Sequence, residues 1–318
     1  MALDNKIFKQ YLPDKNLALS EEHIAEFFYT MYQRQEIWYN RNILKTSRPW
    51  CDDNILNQYK FCNAYRELDK QSQWVIHNII RIDDELINKI WKICVFRLFN
   101  TLEVFEIIDI PNHDEYDSKE FTSYIKEVEK YFPACNKKAY AINSWLAQGT
   151  SQAIACANII MPSLHKVIGD IMFHGFIGNS KINDIVKLFT SCEGLGKFVT
   201  HEYFIDMCYI AKYTDNNDFG FDENSWTNVG EGAKNGLRLL TPSMSYNIST
   251  LRMLQDLSKE LLPDDFKYIQ WNKIKNSYEL CDWNITLTNI EFWTCEYQKY
   301  WKIKHKIGKQ RDKFKLSV

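Results

Sequence analysis

Between Arg34 and Trp74 the sequence concentrates side chains that can bind a charged or hydroxyl-rich ligand: Arg34, Glu36, Arg41, Arg48, Trp50, Asp53, Asn63, Tyr65, Arg66, Glu67, Asp69 and Trp74. Over residues 24–41 the apolar stripe Ile24, Phe27, Met31, Trp38 continues, at i, i+3, i+4 spacing, onto Arg34 and Arg41. A charge on a buried stripe needs a partner, because leaving it unpaired is costly. For any one residue an ion pair with Asp53, Glu67 or Asp69, or a snorkelling arginine, accounts for this. For the cluster as a whole a ligand-facing surface accounts for it better. Trp50, Trp38 and Tyr65 offer stacking faces. Arg34, Glu36, Asp53, Asn63, Arg66 and Asp69 offer the donors and acceptors that read a base edge or sugar hydroxyls.

A second constellation lies at residues 182–209. Ile182, Ile185, Val186 and Phe189 line one helix face, Ser191 to Lys197 makes a tight break containing Gly194 and Gly196, and helical spacing resumes from Phe198 to Tyr209. Helix, Gly-x-Gly turn, helix is the pattern of a helix-hairpin-helix, whose turn presents backbone N–H groups and a helix N-terminus to a DNA phosphate. Gly194, Gly196 and Lys197 are the residues expected there, with Gly230 and Gly232 as a second glycine pair able to approach a backbone. The alternative is a helix C-cap followed by an ordinary loop. Lys299, Lys302, Lys304, Lys306, Lys309, Arg311, Lys313 and Lys315 form a basic tail interrupted only by Asp312. It suits either a phosphate track or a solubilising end.

The elements that must position these groups are helices. Ser20, Glu21 and Glu22 start a helix over 24–41, and Asp83 and Asp84 precede a broadly apolar helix over 86–98. Residues 121–132 are helical up to Pro133, and residues 152–174 form a long apolar segment interrupted at Pro162. Two further helices cover 251–261 and 290–300. Nothing reads as a sheet. The 318 residues are expected to form one helical domain divisible into a lobe of about 1–148 and a lobe of about 149–318, because all eleven glycines lie at or after Gly149. The first and last thirds are expected to pack around the glycine-rich middle.

Composition sets the setting. Hydrophobic content of 45% is that of a globular chain, and a net charge of −2 gives no global nucleic-acid signature. No apolar run in the sequence approaches a membrane span, and the polar start is not a secretory signal. Nine scattered cysteines without a Cys-x-x-Cys pair predict reduced thiols in a cytoplasmic protein without a metal site. No cofactor, membrane or protein partner is implied.

Three blocks carry a family resemblance. Arg34-Gln35-Glu36, Pro49-Trp50-x-x-Asp53-x-Ile55 and Phe61-x-Asn63-x-Tyr65-Arg66-Glu67-x-Asp69 resemble the opening signature of the α-glutamyl/putrescinyl thymine pyrophosphorylase-like clade. They are similar also to the helical domain that accompanies phage 5-hydroxymethyluridine DNA kinases. Gly194 to Phe198 with Asp206, Gly230 to Gly236, and Cys295-Glu296-Tyr297-x-Lys299-Tyr300 agree, in order, across roughly residues 25–300. Glu231 and Glu193 depart from the pattern where proline is expected. No Gly-x-x-x-x-Gly-Lys-Ser/Thr occurs, so a kinase role is not expected of this sequence.

The resemblance implies an all-α fold related to helix-hairpin-helix DNA glycosylases, and DNA carrying modified bases as the partner. It is closest to a phage-defence glycosylase of that clade. The implied reaction is monofunctional excision of a glycosylated hydroxymethylpyrimidine, leaving an abasic site, since Phe198 stands where strand-nicking members carry lysine. In such glycosylases a carboxylate beyond the hairpin stabilises the oxocarbenium-like sugar. That points to Asp222, Glu223 and then Asp218, with Asp206 bracing the hairpin helix. Two alternatives stay open: hypermodification of thymine through pyrophosphorylated 5-hydroxymethyluracil, with Arg34, Arg41, Arg48 and Arg66 holding the leaving group, and a non-catalytic DNA-binding protein.

Overall fold

The computed structural model describes residues 19–105, 108–131, 150–178, 180–214, 219–262, 284–308 and 313–314. Among the described residues every regular element is helical, and extended pairing is limited to one isolated antiparallel bridge between Tyr59 and Lys313. The chain separates into two compact units, Met1–Asp69 with Trp226–Val318, and Lys70–Ser225. The ends of the chain therefore build one unit together and the middle builds the other. The change in glycine usage at Gly149 marks neither boundary.

The first unit is built on α1 (Glu21–Asn42), the short α2 (Asn54–Gln58) and a 3-10 turn at Arg66–Leu68. Later helices of the same unit are α10 (Glu231–Leu240), α11 (Ile248–Leu261) and α12 (Leu287–Lys304). The labels α3 to α9 belong to the middle unit. Ser20 occupies the N-cap position of α1 without a side-chain capping bond, so Glu21 and Glu22 at the positive helix end carry the start signal. Ile24, Phe27, Phe28, Met31 and Trp38 on α1 meet Leu251, Leu254 and Leu257 of α11, and Leu287, Ile290, Trp293 and Tyr297 of α12, in one core. Full burial of each such side chain contributes about 1.5–3 kcal/mol.

The second unit contains α3 (Lys70–Val75), running into a π turn at Ile76–Ile80, then α4 (Leu86–Phe99), α5 (Leu102–Phe105) and α6 (Ser118–Tyr131). The continuous helix α7 (Gln152–Ile177), α8 (Ile182–Ser191) and α9 (Lys197–Tyr213) complete it. Ile90, Trp91, Ile93, Cys94, Val95, Phe96, Leu98 and Phe99 are all buried, so α4 is enclosed on nearly every side. Its N-cap position is Glu85, and Asp84 accepts from the Glu85 N–H and from Asn88 and Lys92. Two sequence expectations change at α7. Pro162 does not interrupt it: a π turn at Cys156–Ile160 ends two residues before Pro162, where the missing N–H is accommodated. The uninterrupted helix is then long and apolar enough to cross a membrane by length and composition, contrary to the reading of the sequence. Ile160, Leu164, Ile168 and Ile171 bury one side of it within its own unit, and Lys166 and Asp170 interrupt its apolar run, as in a core helix.

The seven cysteines among the described residues are free. Burial pushes the Cys62 and Cys156 thiols up to about 12, which keeps them protonated and inert.

Candidate functional site

A polar arrangement in the first unit surrounds the segment Phe61–Asn63, which lies between α2 and the 3-10 turn. Arg34, 6% exposed, donates from both Nε and Nη2 to the Phe61 carbonyl at 3.2 Å. The Cys62 N–H meets Glu296 Oε2 at 3.4 Å, and Lys299 holds the other carboxylate oxygen of Glu296 at 2.7 Å. Asn63 is fixed at three points: its N–H and Nδ2 both donate to Asp69 Oδ1, and Nδ2 donates also to the Leu68 carbonyl. Arg66 pairs with Asp69 and lies 4.0 Å over the Phe292 ring, while its backbone N–H donates to Asn289 Oδ1. The structure thus brings Arg34, Asn63, Arg66 and Asp69 together.

The amide of Asn63 and the guanidinium of Arg34 each keep one buried atom unmatched. Arg34 Nη1 and Asn63 Oδ1 are buried and have no hydrogen-bond partner. Burial lowers the Arg34 guanidinium to about 10, against the opposing pull of Asp69, so it is still a cation at neutral pH. Gln35, fully buried beside it in sequence, has neither amide atom bonded.

The remaining residues expected at the base site serve a neighbouring surface of the same unit. Asp53 caps α2 through the Leu56 N–H and accepts from the Tyr300 hydroxyl at 2.8 Å. Glu36 accepts from Gln33 Nε2 at 2.6 Å. Trp50 is pinned by Asn57 and Asn40 through its backbone and by the Thr46 carbonyl through its indole N–H. Arg41 and Arg48 lie 4.7 and 4.6 Å from its ring, and Phe314 meets it edge-on. Two guanidinium groups gathered on one half-buried tryptophan concentrate positive charge, which favours an anion there.

In the second unit, α8 and α9 are joined by a turn in which Gly194 has φ of 83°, a left-handed conformation that favours glycine. Gly196 is the N-cap of α9 and has no side-chain cap, and a Cβ built on it meets nothing within 4 Å. Lys197 and Phe198 are exposed at that helix start. Asp206 is engaged by Arg97. Glu223, 3% exposed, is paired with Lys212 at 2.8 Å. Asp222 closes its own turn by accepting from the Asn224 N–H and the Ser225 hydroxyl. Asp218 lies outside the described residues.

Gly230 is the N-cap of α10. Gly232 faces α12, since a Cβ there would meet Cys295 Sγ at 2.9 Å, and helix packing accounts for this glycine. Within the basic tail Lys299 is held by Glu296 and Lys304 by Glu26, while Lys302 is exposed. Lys309, Arg311 and Lys315 lie outside the described residues. No group of three or more His, Cys, Asp or Glu among the described residues forms a cluster that could hold a metal ion.

The family model described as the helical domain of 5-hmdU DNA kinase matches residues 21–310. The chain belongs to this family. A 5-hmdU DNA kinase of Bacillus phage SP10 is 22% identical over 292 residues, which cover 86% of this chain and 44% of the phage protein. The chain thus spans less than half the length of that relative. No solved structure matches.

Membership in the helical-domain family of 5-hmdU DNA kinases corrects the activity expected from the sequence. The named relative is a kinase, a phosphoryl transferase, and that conflicts with hydrolysis of an N-glycosidic bond. A glycine turn facing a phosphate is compatible with any reaction on DNA, so reading it as a glycosylase hairpin asked more of it than its chemistry contains. Asn289 of α12 is a participant that the sequence did not single out, and Glu296 stood out there only within a family block and not as part of this site. Each lies more than 220 residues from its partner in the 61–69 segment, with separations of 234 and 223, and periodicity carries no signal at that range.

Proposed function

We propose that this chain takes part in the hypermodification of thymine-type bases in DNA, acting on pyrophosphorylated 5-hydroxymethyluracil. The observation that carries this reading is the match of the helical-domain family across residues 21–310, together with the 5-hmdU DNA kinase relative. In such a reaction the bond between the 5-methylene carbon and the ester oxygen breaks, the electron pair leaves with pyrophosphate, and a nucleophile, water in the assay below or an amine, bonds to the methylene carbon and gives its proton to solvent. Leaving-group departure is assisted by fixed cations. Arg41 and Arg48 on Trp50 are suited to that task because both are half-exposed and adjacent. The buried Arg34–Asn63–Asp69 arrangement is suited to holding the base.

The test is direct. Purified protein is incubated with DNA whose 5-hydroxymethyluracil has been pyrophosphorylated, the DNA is digested to nucleosides, and masses are recorded. Loss of the pyrophosphorylated nucleoside with release of pyrophosphate is expected, and Arg41→Gln with Arg48→Gln should slow it by at least tenfold, the effect of about 1.4 kcal/mol. Unchanged nucleoside masses would sink the proposal.

DNA binding through the α8–α9 turn is the second part of this reading. The open space at Gly196 and the exposed Lys197 support it. Gly196→Val should lower the melting temperature only by the modest cost of a poorer N-cap residue, because nothing inside the protein occupies that space, yet weaken binding to all DNA sequences alike. Lys197→Ala should reduce the salt slope of binding by about one unit. Unaltered affinity and slope in both variants would make the turn a plain helix connector.

A further inference from the structure

Arg34 Nη1 and Asn63 Oδ1 are a buried donor and a buried acceptor without partners, on residues 6% and 7% exposed. Their anchors are close. Arg34 holds the carbonyl of Phe61, two residues from Asn63, so the Cα atoms of Phe61 and Asn63 are about 7 Å apart at most. Asp69 is the shared neighbour: it bonds Asn63 and is the leading charge acting on Arg34. A buried polar atom left unmet costs about 1–3 kcal/mol, so two of them in one arrangement mark a place where a ligand supplies the missing acceptor and donor.

The orientation of the Asn63 amide is decided by its surroundings. Nδ2 donates to two oxygens, the Leu68 carbonyl and Asp69 Oδ1, each at 2.8 Å. Turning the amide over would set Oδ1 against both oxygens, so Oδ1 is an acceptor that cannot exchange roles. Arg34 Nη1 is a donor at neutral pH, where the guanidinium keeps its charge. A ligand must therefore offer one N–H or O–H beside one acceptor.

Resting on the functional reading above, we infer that Arg34 and Asn63 read the edge of a uracil-type base: Asn63 Oδ1 accepts the ring N3–H, and Arg34 Nη1 donates to an adjacent ring carbonyl. Uracil carries an N3–H flanked by two carbonyls, which supplies this pair of groups in any in-plane approach from that edge. Cytosine has a bare N3 lone pair at the same position. In the same pose it would face the Asn63 oxygen lone pair to lone pair, so the arrangement selects uracil-type over cytosine-type bases bearing the same 5-hydroxymethyl group. Gln35 lies about 100° around α1 from Arg34 and takes no part in this assignment.

The experiment measures binding of the full chain to single-stranded oligonucleotides carrying one 5-hydroxymethyluracil, its N3-methyl derivative, 5-hydroxymethylcytosine or thymine. For the unaltered protein, N3-methylation and replacement by 5-hydroxymethylcytosine should each weaken binding about tenfold, the loss of one buried hydrogen bond. Asn63→Leu should weaken binding to 5-hydroxymethyluracil by a similar factor, and N3-methylation should then cost nothing more. Arg34→Met should lose affinity for both 5-hydroxymethyl bases. Equal affinity of the unaltered protein for the 5-hydroxymethyluracil and 5-hydroxymethylcytosine probes, or a full further loss on methylation in a folded Asn63→Leu, overturns the inference. The first of these needs no variant and decides the matter if Asn63→Leu fails to fold. Equal affinity for 5-hydroxymethyluracil and thymine, with the N3 effects intact, would instead count against the functional reading while leaving base-edge recognition standing.

Discussion

Arg97→Met is expected to lower the unfolding free energy of the middle unit by about 3–5 kcal/mol, the cost of stranding buried charge. Arg97 is 2% exposed on α4, and its Nε and Nη2 grip the two Asp206 oxygens at 2.6 and 2.7 Å. Ser72 accepts from the same Nη2 at 3.3 Å, and Glu202 Oε2 stands 3.6 Å from Nη1. Asp206 is wholly buried and Glu202 nearly so, both on α9. One guanidinium therefore serves two carboxylates away from water, and its removal takes that cation from both. Methionine fills similar space, which confines the effect to charge. The measurement is urea unfolding followed by tryptophan fluorescence and circular dichroism. Asp206→Asn should cost less than Arg97→Met, because the amide keeps its size and leaves Glu202 facing the arginine. Pairing Arg97→Met with Asp206→Leu should recover part of the loss. A single-variant loss below 1 kcal/mol would show that these carboxylates are relieved by some other route. The pair also fixes α9, the helix that begins at Gly196, so a damaged pair should reach the proposed DNA contact as well.

Much of this fold was legible because helices announce themselves locally. The stripe of α1, the apolar breadth of α4 and the repeat of α12 follow from side-chain spacing alone, and the same spacing carried Arg34 into a buried position. The Gly194 turn was legible because two apolar helices in sequence need a break between them, and Gly-x-Gly permits the left-handed conformation found at Gly194. Long-range pairing was not. Nothing in the sequence ties Glu296 to the Cys62 N–H or Asn289 to the Arg66 N–H. Pro162 misled because a proline suggests a break, whereas a π turn just before it lets the helix continue. The reaction was the least legible part. Asp222 and Glu223 looked equally available as acids, but Asp222 closes its own turn and Glu223 is paired with Lys212 from the preceding helix. The resemblance quoted from the 34–69 segment agrees with the kinase helical-domain family that matches residues 21–310, while its glycosylase side has no support there.

Gly236→Val is expected to destabilise the first unit by about 3 kcal/mol or more, at the upper end of overpacking effects. A Cβ on Gly236 would lie 2.3 Å from the Thr294 carbonyl oxygen and 2.6 Å from Thr294 Cγ2. The nearer atom belongs to the backbone of α12 and cannot rotate aside, so the two helices must separate. Separation opens the core around Leu237, Leu240, Ile290 and Trp293, where side chains are fully or almost fully buried. Gly232→Ala makes a graded control: its Cβ would meet the Cys295 thiol, a side-chain end with some freedom, and should cost under about 1 kcal/mol. The consequence should extend to the ligand. Glu296, Asn289 and Phe292 on α12 brace Cys62 and Arg66, and through Asp69 they determine where Asn63 stands. A shift of α12 should therefore weaken discrimination between 5-hydroxymethyluracil and 5-hydroxymethylcytosine DNA in the molecules that remain folded, while Gly232→Ala keeps it. Thermal melting and binding on the same preparations give both quantities. A Gly236→Val chain that melts with the unaltered protein would mean that α10 and α12 do not approach as closely as Thr294 and Gly236 indicate.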